Sequence, residues 1–245
     1  MSIIKKALSV ILAAVLVLSL SSGALAAPAG SGRTARPVRL PAELIFRQSA
    51  NAVFMLETFD RDGESIRTGS GFFITGAGLA VTNLHVLDTA AAATITLYNG
   101  DVYPVRGVHA TSEEFNLAII SIDSDADDWD YLTLADSDLI EAGNSVYVIG
   151  SPLGLINTMT QGLVSFILRD VSGDNLIQFT APISFGSGGS PVLNTSGQVI
   201  GVASSSFSYG QNLNLAVPIN YIKTLTPGEC MPLDFLLPDP YVTTD

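Results

Sequence analysis

Cysteine is almost missing from this chain. Cys230 is the only one in 245 residues, so no intrachain disulfide can form and stability has to come from burial. A free thiol usually sits among apolar neighbours, and Cys230 is expected to be partly buried in the C-terminal segment. Histidine is nearly as rare. Only His85 and His109 occur, which excludes a histidine-rich metal site. Positive charge is scarce as well: 11 Lys and Arg stand against 23 Asp and Glu, a formal net charge of −12. That balance argues against nucleic acid or an anionic membrane surface as the principal partner. No self-similarity at a solenoid-like period is visible, which removes the repeat architectures.

What is present begins with an export signature. Lys5 and Lys6 form a basic start, Ala7 to Leu20 is apolar, and Ala24-Leu25-Ala26 is a small-x-small cleavage site. The apolar run is too short for a membrane span. Residues 1–26 are therefore expected to be a signal peptide, and the mature form to be exported without membrane insertion. No cysteine follows the run, so a lipid anchor at that point is excluded. Without Lys5 and Lys6 the balance becomes 9 basic against 23 acidic residues, a formal −14. Residues 27–41, APAGSGRTARPVRLP, read as a flexible lead-in.

From Pro41 to Val53 a short helix is expected, with Leu44, Ile45 and Ala52 at helical spacing. Beyond it, short β-branched or aromatic runs recur between turn residues: AVFMLETF, GFFIT, LAVTN, TITLYNG, LAIISI, SVYVIG, LVSFIL, LIQFTA, QVIGVASS and LNLAVPI. Many short strands at close spacing predict an all-β sandwich or a pair of barrels. Residues 226–245 carry Pro227, Pro232, Pro238 and Pro240 and read as an irregular tail.

Three segments carry a more specific signal. TGSGFFITGAGLAVTNLHVL (68–87) is a glycine-flanked strand pair ending in a histidine, and FNLAIISID (115–123) is a strand entry. The third is a serine- and glycine-rich turn, QFTAPISFGSGGSPVLNTSGQVIGV (178–202), preceded by GSPLGLINTMTQGLVS and followed by QNLNLAVPIN. Together they resemble the trypsin-like serine proteases of the HtrA/Deg type, over roughly residues 45–223. The resemblance implies an all-β fold of two six-stranded antiparallel β-barrels, with the active site in the cleft between them. It places the protease domain at residues 42–225, and it implies a polypeptide substrate or ligand and neither cofactor nor metal.

Read alone, His85 would be an ordinary polar histidine; in this context the resemblance makes it the general base. Asn116 falls where the family has its aspartate. The flanks Thr180, Ala181, Ile183, Gly186, Pro191 and Asn194 align without a gap, which puts Gly188 at the nucleophile. Glycine has no hydroxyl to share a proton with imidazole. An amide at the aspartate position presents the wrong tautomer and stabilises imidazolium poorly; in chymotrypsin-type enzymes that change lowers the rate by about 10⁴.

A register slipped by one residue makes Ser187 the nucleophile, at the cost of placing Phe185 where a glycine should donate to the oxyanion. The resemblance gives Ser190 a structural position in the turn, and the slipped register makes it an insertion before Pro191. Gly186 and Gly188 keep backbone N–H groups where the family forms its oxyanion hole. Ala203, Ser204 and Ser205, in GVASSSF, lie where the family pairs with an extended peptide.

The expectation is an exported pseudoprotease that binds extended or unfolded peptide without cleaving it. The alternative is an active serine endopeptidase using Ser187 with His85. A third reading is a structural module of the cell envelope with a vestigial cleft. His109 is expected at the surface with Glu113 and Glu114 as charge partners. The acidic run DSDADDWD (123–130) lacks the glycine and glutamate an EF-hand loop needs and reads as a solvated loop.

Overall fold

The computed structural model of the chain describes residues 39–169, 175–206 and 212–237. The expected signal peptide, residues 27–38 of the lead-in, Phe207 and residues 238–245 lie outside the described residues.

Pro41 opens helix α1 (Ala42–Ser49), with Glu43 in its first turn and Arg47 in its last, the charge order that suits the helix dipole. It buries Ile45 and Ser49 and passes through a 3₁₀ turn, Ala50–Ala52, into the first strand. Phe46 meets Tyr98 edge to face, with ring centroids 5.7 Å apart.

Twelve strands follow among the described residues. The first six are β1 (Val53–Phe59), β2 (Ser65–Phe73), β3 (Leu79–Asn83), β4 (Ala92–Leu97), β5 (Val102–Ser112) and β6 (Leu117–Ile122). They close as a barrel in the order β1-β2-β3-β6-β5-β4. The second six are β7 (Ser145–Gly150), β8 (Thr158–Arg169), β9 (Asn175–Phe179), β10 (Pro191–Leu193), β11 (Val199–Ser206) and β12 (Asn214–Pro218). They close in the order β10-β11-β12-β9-β8-β7, and every pairing in both barrels is antiparallel. Among the described residues, closure pairs most of the strand edges.

The unbroken apolar runs have a simple cause. Successive strand residues point to opposite faces, and here both faces of many strands are covered. Phe73, Ala80, Ala118 and Ile120 fill the first barrel, while their neighbours Phe72, Val81 and Ile119 point into the seam between barrels. Val148, Val192 and Ala216 fill the second barrel, and Ile149, Leu193 and Val217 meet the same seam. Burying one such phenylalanine contributes about 1.5–3 kcal/mol.

Two strands were not visible in the apolar runs. β5 carries Pro104, Arg106 and Gly107 and bulges at two points, so its pattern is broken. β10 is only three residues long.

Residues 226–237 of the segment expected to be an irregular tail carry a 3₁₀ turn, Leu233–Leu236, and dock on the first barrel. Gly228 N–H donates to His109 O at 2.9 Å, Met231 exchanges backbone bonds with Val108 at 2.7 and 2.8 Å, and Leu233 is buried in the first-barrel core. Gly107 permits this approach, since a Cβ there would overlap the Met231 carbonyl.

His109 departs from its expected role. It is partly buried, its Nδ1 bonds Gly228 O at 2.9 Å and its Nε2 bonds Ser121 Oγ at 3.0 Å. A carbonyl only accepts, so Nδ1 carries the proton. His109 ties down the tail instead of pairing with Glu113 or Glu114. Cys230 is exposed, not partly buried, with Sγ 3.7 Å from Ser121 Oγ; it lies on the barrel rim, and Leu233 is the tail residue that enters the core. The acidic run forms a loop between barrels, pinned by Trp129 stacked 4.8 Å from Phe73.

Candidate active site

β3 and β6 are neighbours, and the last residue of one pairs with the first of the other, Asn83 with Leu117. Residues just past Asn83 and just before Leu117 must then meet at the same barrel end. His85 lies in the short helix α2 (Leu84–Leu87), and Asn116 in the turn entering β6. Asn116 has φ +52, a left-handed conformation that asparagine tolerates better than most residues. Its carbonyl accepts from Leu84 N–H at 3.1 Å and from Asn83 Nδ2 at 3.0 Å.

The side-chain amide of Asn116 makes three bonds. Oδ1 accepts from the backbone N–H of His85 at 2.9 Å, Nδ2 lies 2.7 Å from His85 Nδ1, and Nδ2 also lies 3.3 Å from Ser204 Oγ. The orientation follows from chemistry. A backbone N–H can only donate, so Oδ1 must face it, which turns both Nδ2 hydrogens toward His85 Nδ1 and Ser204. Nδ1 is then the acceptor, and the ring proton sits on Nε2. A flipped amide would set two donors against each other at His85 N–H.

One edge of His85 is open to solvent, yet burial of the rest of the ring lowers its pKa below the ordinary imidazole value, and the Arg67 guanidinium acts in the same direction; the Asn116 contact and the Asp88 carboxylate oppose them. Arg67 donates to the His85 carbonyl and pairs with Asp88 at 3.4 Å.

The elbow arrives from the second barrel. A Cβ built on Gly188 would lie 3.3 Å from His85 Nε2 and 3.4 Å from Asn83 Oδ1. The residue facing the imidazole is therefore Gly188. Ser187 is buried and closed on its own turn: its Oγ accepts from Ser184 N–H at 3.2 Å and its N–H donates to Ser184 O at 2.9 Å. Ser190 Oγ packs against Gly150, where a Cβ would overlap it. The structure brings His85, Asn116 and Gly188 together, and directs the hydroxyls of Ser187 and Ser190 elsewhere.

The elbow backbone leaves two N–H groups without partners among the described residues. Gly186 has φ +88 and the residue after it an ordinary φ, the alternation that lets alternate N–H groups converge. Phe185 O accepts from Leu153 N–H at 2.8 Å and Ser187 O from Ser190 N–H at 3.1 Å. In a trans peptide the N–H points opposite to its C=O, so the N–H groups of Gly186 and Gly188 both turn away from these contacts. Among the described residues neither has an acceptor.

Ser70, in β2, holds this elbow and was not singled out in the sequence. Its Oγ donates to Gly186 O at 2.7 Å and accepts from Ser151 N–H at 2.9 Å, while its N–H donates to Gly188 O at 2.7 Å. Thr82 Oγ in turn donates to Ser70 O at 2.8 Å. The available signal was its position between Gly69 and Gly71. A Cβ on Gly69 would collide with Val86, and one on Gly71 with Phe54, so both mark a close approach around the serine between them.

The expected peptide-pairing stretch divides. Ala203 N–H donates to Ser190 O and Ala203 O accepts from Gly189 N–H, both at 2.9 Å, so its backbone is engaged by the elbow and not open to a ligand. Ser204 sits at a bulge between the pairs Ala203–Ala216 and Ser205–Leu215, which aims its hydroxyl at Asn116. β10 reaches only to the Pro191–Val202 pair. Among the described residues, β11 from Ser204 onward has a strand on one side alone.

Two closed barrels, an imidazole held at their junction and a glycine elbow with paired N–H groups define a chymotrypsin-like serine-protease scaffold. Residues 69–202 match the trypsin-like peptidase domain, and the chain belongs to that family, with relatives of the HtrA/DegP type. HhoA of Synechocystis sp., named as a serine protease, is 31% identical over 179 residues, covering 69% of this chain and 45% of that protein. A DegP-like periplasmic serine endoprotease of Rhizobium meliloti is 35% identical over 155 residues, covering 62% and 30%. The chain thus spans less than half of these curated relatives. Among solved structures, the HtrA-type protease AlgW with a tripeptide matches with a TM-score of 0.67 and 28% identity, covering 74% of this chain and 61% of that one.

Proposed function

We propose that this domain is an exported pseudoprotease, a trypsin-like scaffold that binds extended peptide and does not hydrolyse it. One observation carries the reading. The position 3.3 Å from His85 Nε2 belongs to a glycine, and Nε2 itself holds the proton that a general base would have to accept. Removing the nucleophile of a triad costs on the order of 10⁶ in rate, and the amide in place of the carboxylate alone about 10⁴. Binding has separate support: β11 beyond Ala203 offers backbone groups for strand addition, and the unengaged N–H groups of Gly186 and Gly188 await an acceptor. AlgW, an HtrA-type protease of similar fold, has been solved with a tripeptide. Export is supported by the residues of the first 26 positions and by relatives named as periplasmic.

The test is hydrolysis of casein and of a mixed peptide pool by the purified protein, beside Ser187→Ala and the double change Asn116→Asp/Gly188→Ser. The natural protein is expected to be inert and the double variant to cleave. Cleavage by the natural protein that Ser187→Ala abolishes would make it an enzyme with an unusual nucleophile.

A further inference from the structure

In a working serine protease the imidazole Nε2 presents a lone pair to the serine hydroxyl. Here Asn116 reverses this arrangement, because its Nδ2 donates to Nδ1 at 2.7 Å and leaves Nε2–H as a donor facing Gly188. The Gly186 and Gly188 N–H groups and His85 Nε2–H are three donors at or facing the elbow, and none has an acceptor among the described residues. Arg67, bonded to the His85 carbonyl, adds positive charge beside His85 that its ion pair with Asp88 partly offsets. This is a local concentration of donors on a chain of formal charge −12.

An internal peptide carbonyl has one oxygen and satisfies the oxyanion hole alone. A terminal carboxylate has two oxygens on one carbon and a negative charge. One oxygen fits the paired N–H groups and the other reaches Nε2–H through the space where a serine hydroxymethyl would stand. Asn83 Oδ1 faces that same space, fully buried and without a hydrogen-bond partner. A water there can donate one hydrogen to Asn83 and the other to the carboxylate, satisfying both.

We infer that the cleft selects peptides by their free C-terminus, holding the terminal carboxylate on Gly186 N–H, Gly188 N–H and His85 Nε2–H, with Arg67 acting at longer range. The inference rests on the peptide-binding reading above and names its ligand class. Ligands would end at the elbow instead of passing through the cleft.

The experiment uses one pool of nine-residue peptides of mixed sequence, synthesised once as free acids and once as C-terminal amides. Each is equilibrated with the purified protein and the bound fraction read by mass spectrometry. Charge-assisted hydrogen bonds predict a preference of roughly ten- to a hundredfold for the acids. His85→Ala should remove most of that preference. Arg67→Gln should narrow it, as should raising the salt, with amide binding unchanged in both cases. Gly188→Ser, which fills the space at Nε2, should narrow it as well. Equal binding of acids and amides overturns the C-terminal inference and leaves the peptide-binding reading standing. Binding of neither form, by protein with an intact thermal melt, overturns both.

Discussion

The two sides of the cleft depart from the Ser-His-Asp template in different ways. On the first-barrel side, Asn116 has nearly the shape of the aspartate of a Ser-His-Asp triad, but its amide donates to the imidazole and so leaves the ring proton on Nε2. On the second-barrel side, Gly188 leaves the backbone in place and removes a side chain. One change is electronic and the other is volumetric. Neither disturbs the scaffold, because the elbow is held through the backbone: Ser70 bonds the carbonyls of Gly186 and Gly188, and neither bond involves the missing side chain. On the proposed reading, catalytic chemistry and architecture are separable here.

The largest expected effect comes from restoring both sides at once. Asn116→Asp/Gly188→Ser should raise casein hydrolysis at least about 10³-fold over background, while either single change stays close to it, since the two groups act as a unit. A single Gly188→Ser variant as active as the double would show that the amide is no barrier, and would break the comparison. Gly188 has an ordinary φ, so the new side chain meets no backbone strain.

Cutting the tie between barrels should come next. Ser70→Ala leaves Gly186 O and Ser151 N–H without their partner in a buried setting, a loss of about 1–3 kcal/mol in chemical denaturation. Peptide affinity should fall with it, because the elbow N–H groups lose their fixed direction. Unchanged stability and affinity would mean that the elbow holds itself.

A smaller effect isolates the imidazole side. By NMR, His85 should titrate below the ordinary value of about 6.5, with burial as the main cause. In Asn116→Asp the titration should move upward, since a carboxylate stabilises the charged ring. The smallest effect is on stability. A histidine whose folded pKa is depressed binds fewer protons when folded than when unfolded, so its contribution is intact above the unfolded value and is lost as pH falls from there through the folded value. His85→Gln should flatten that part of the pH–stability curve. A steeper loss in the variant would contradict the assignment.

Much of this was legible in residues alone. Ten of the twelve strands coincide with apolar runs, because strands covered on both faces carry apolar residues on both. β5 was hidden by Pro104 and Gly107, which serve its bulges and the docking of the tail. The gapless register at the elbow named Gly188, and the structure sets Gly188 against His85. Ser70 could not be read, because a serine between two glycines looks like any turn until both barrels are in place. The same holds for Ala203, His109 and Cys230, whose roles depend on what the chain brings beside them from more than 10 residues away.

By itself, then, the sequence determined the strand pattern and the chemical identity of the residues at His85, Asn116 and Gly188, since these follow from local periodicity and residue type. Only the tertiary structure decided where protons and free N–H groups point. Which way the Asn116 amide faces depends on the backbone N–H of His85, 31 residues away. Whether Gly186 and Gly188 keep open donors depends on Leu153, Ser190 and Ser70 engaging the carbonyls around them. Hydrogen bonds are directional and are made across the fold, so the cleft's donor pattern exists only once both barrels have closed.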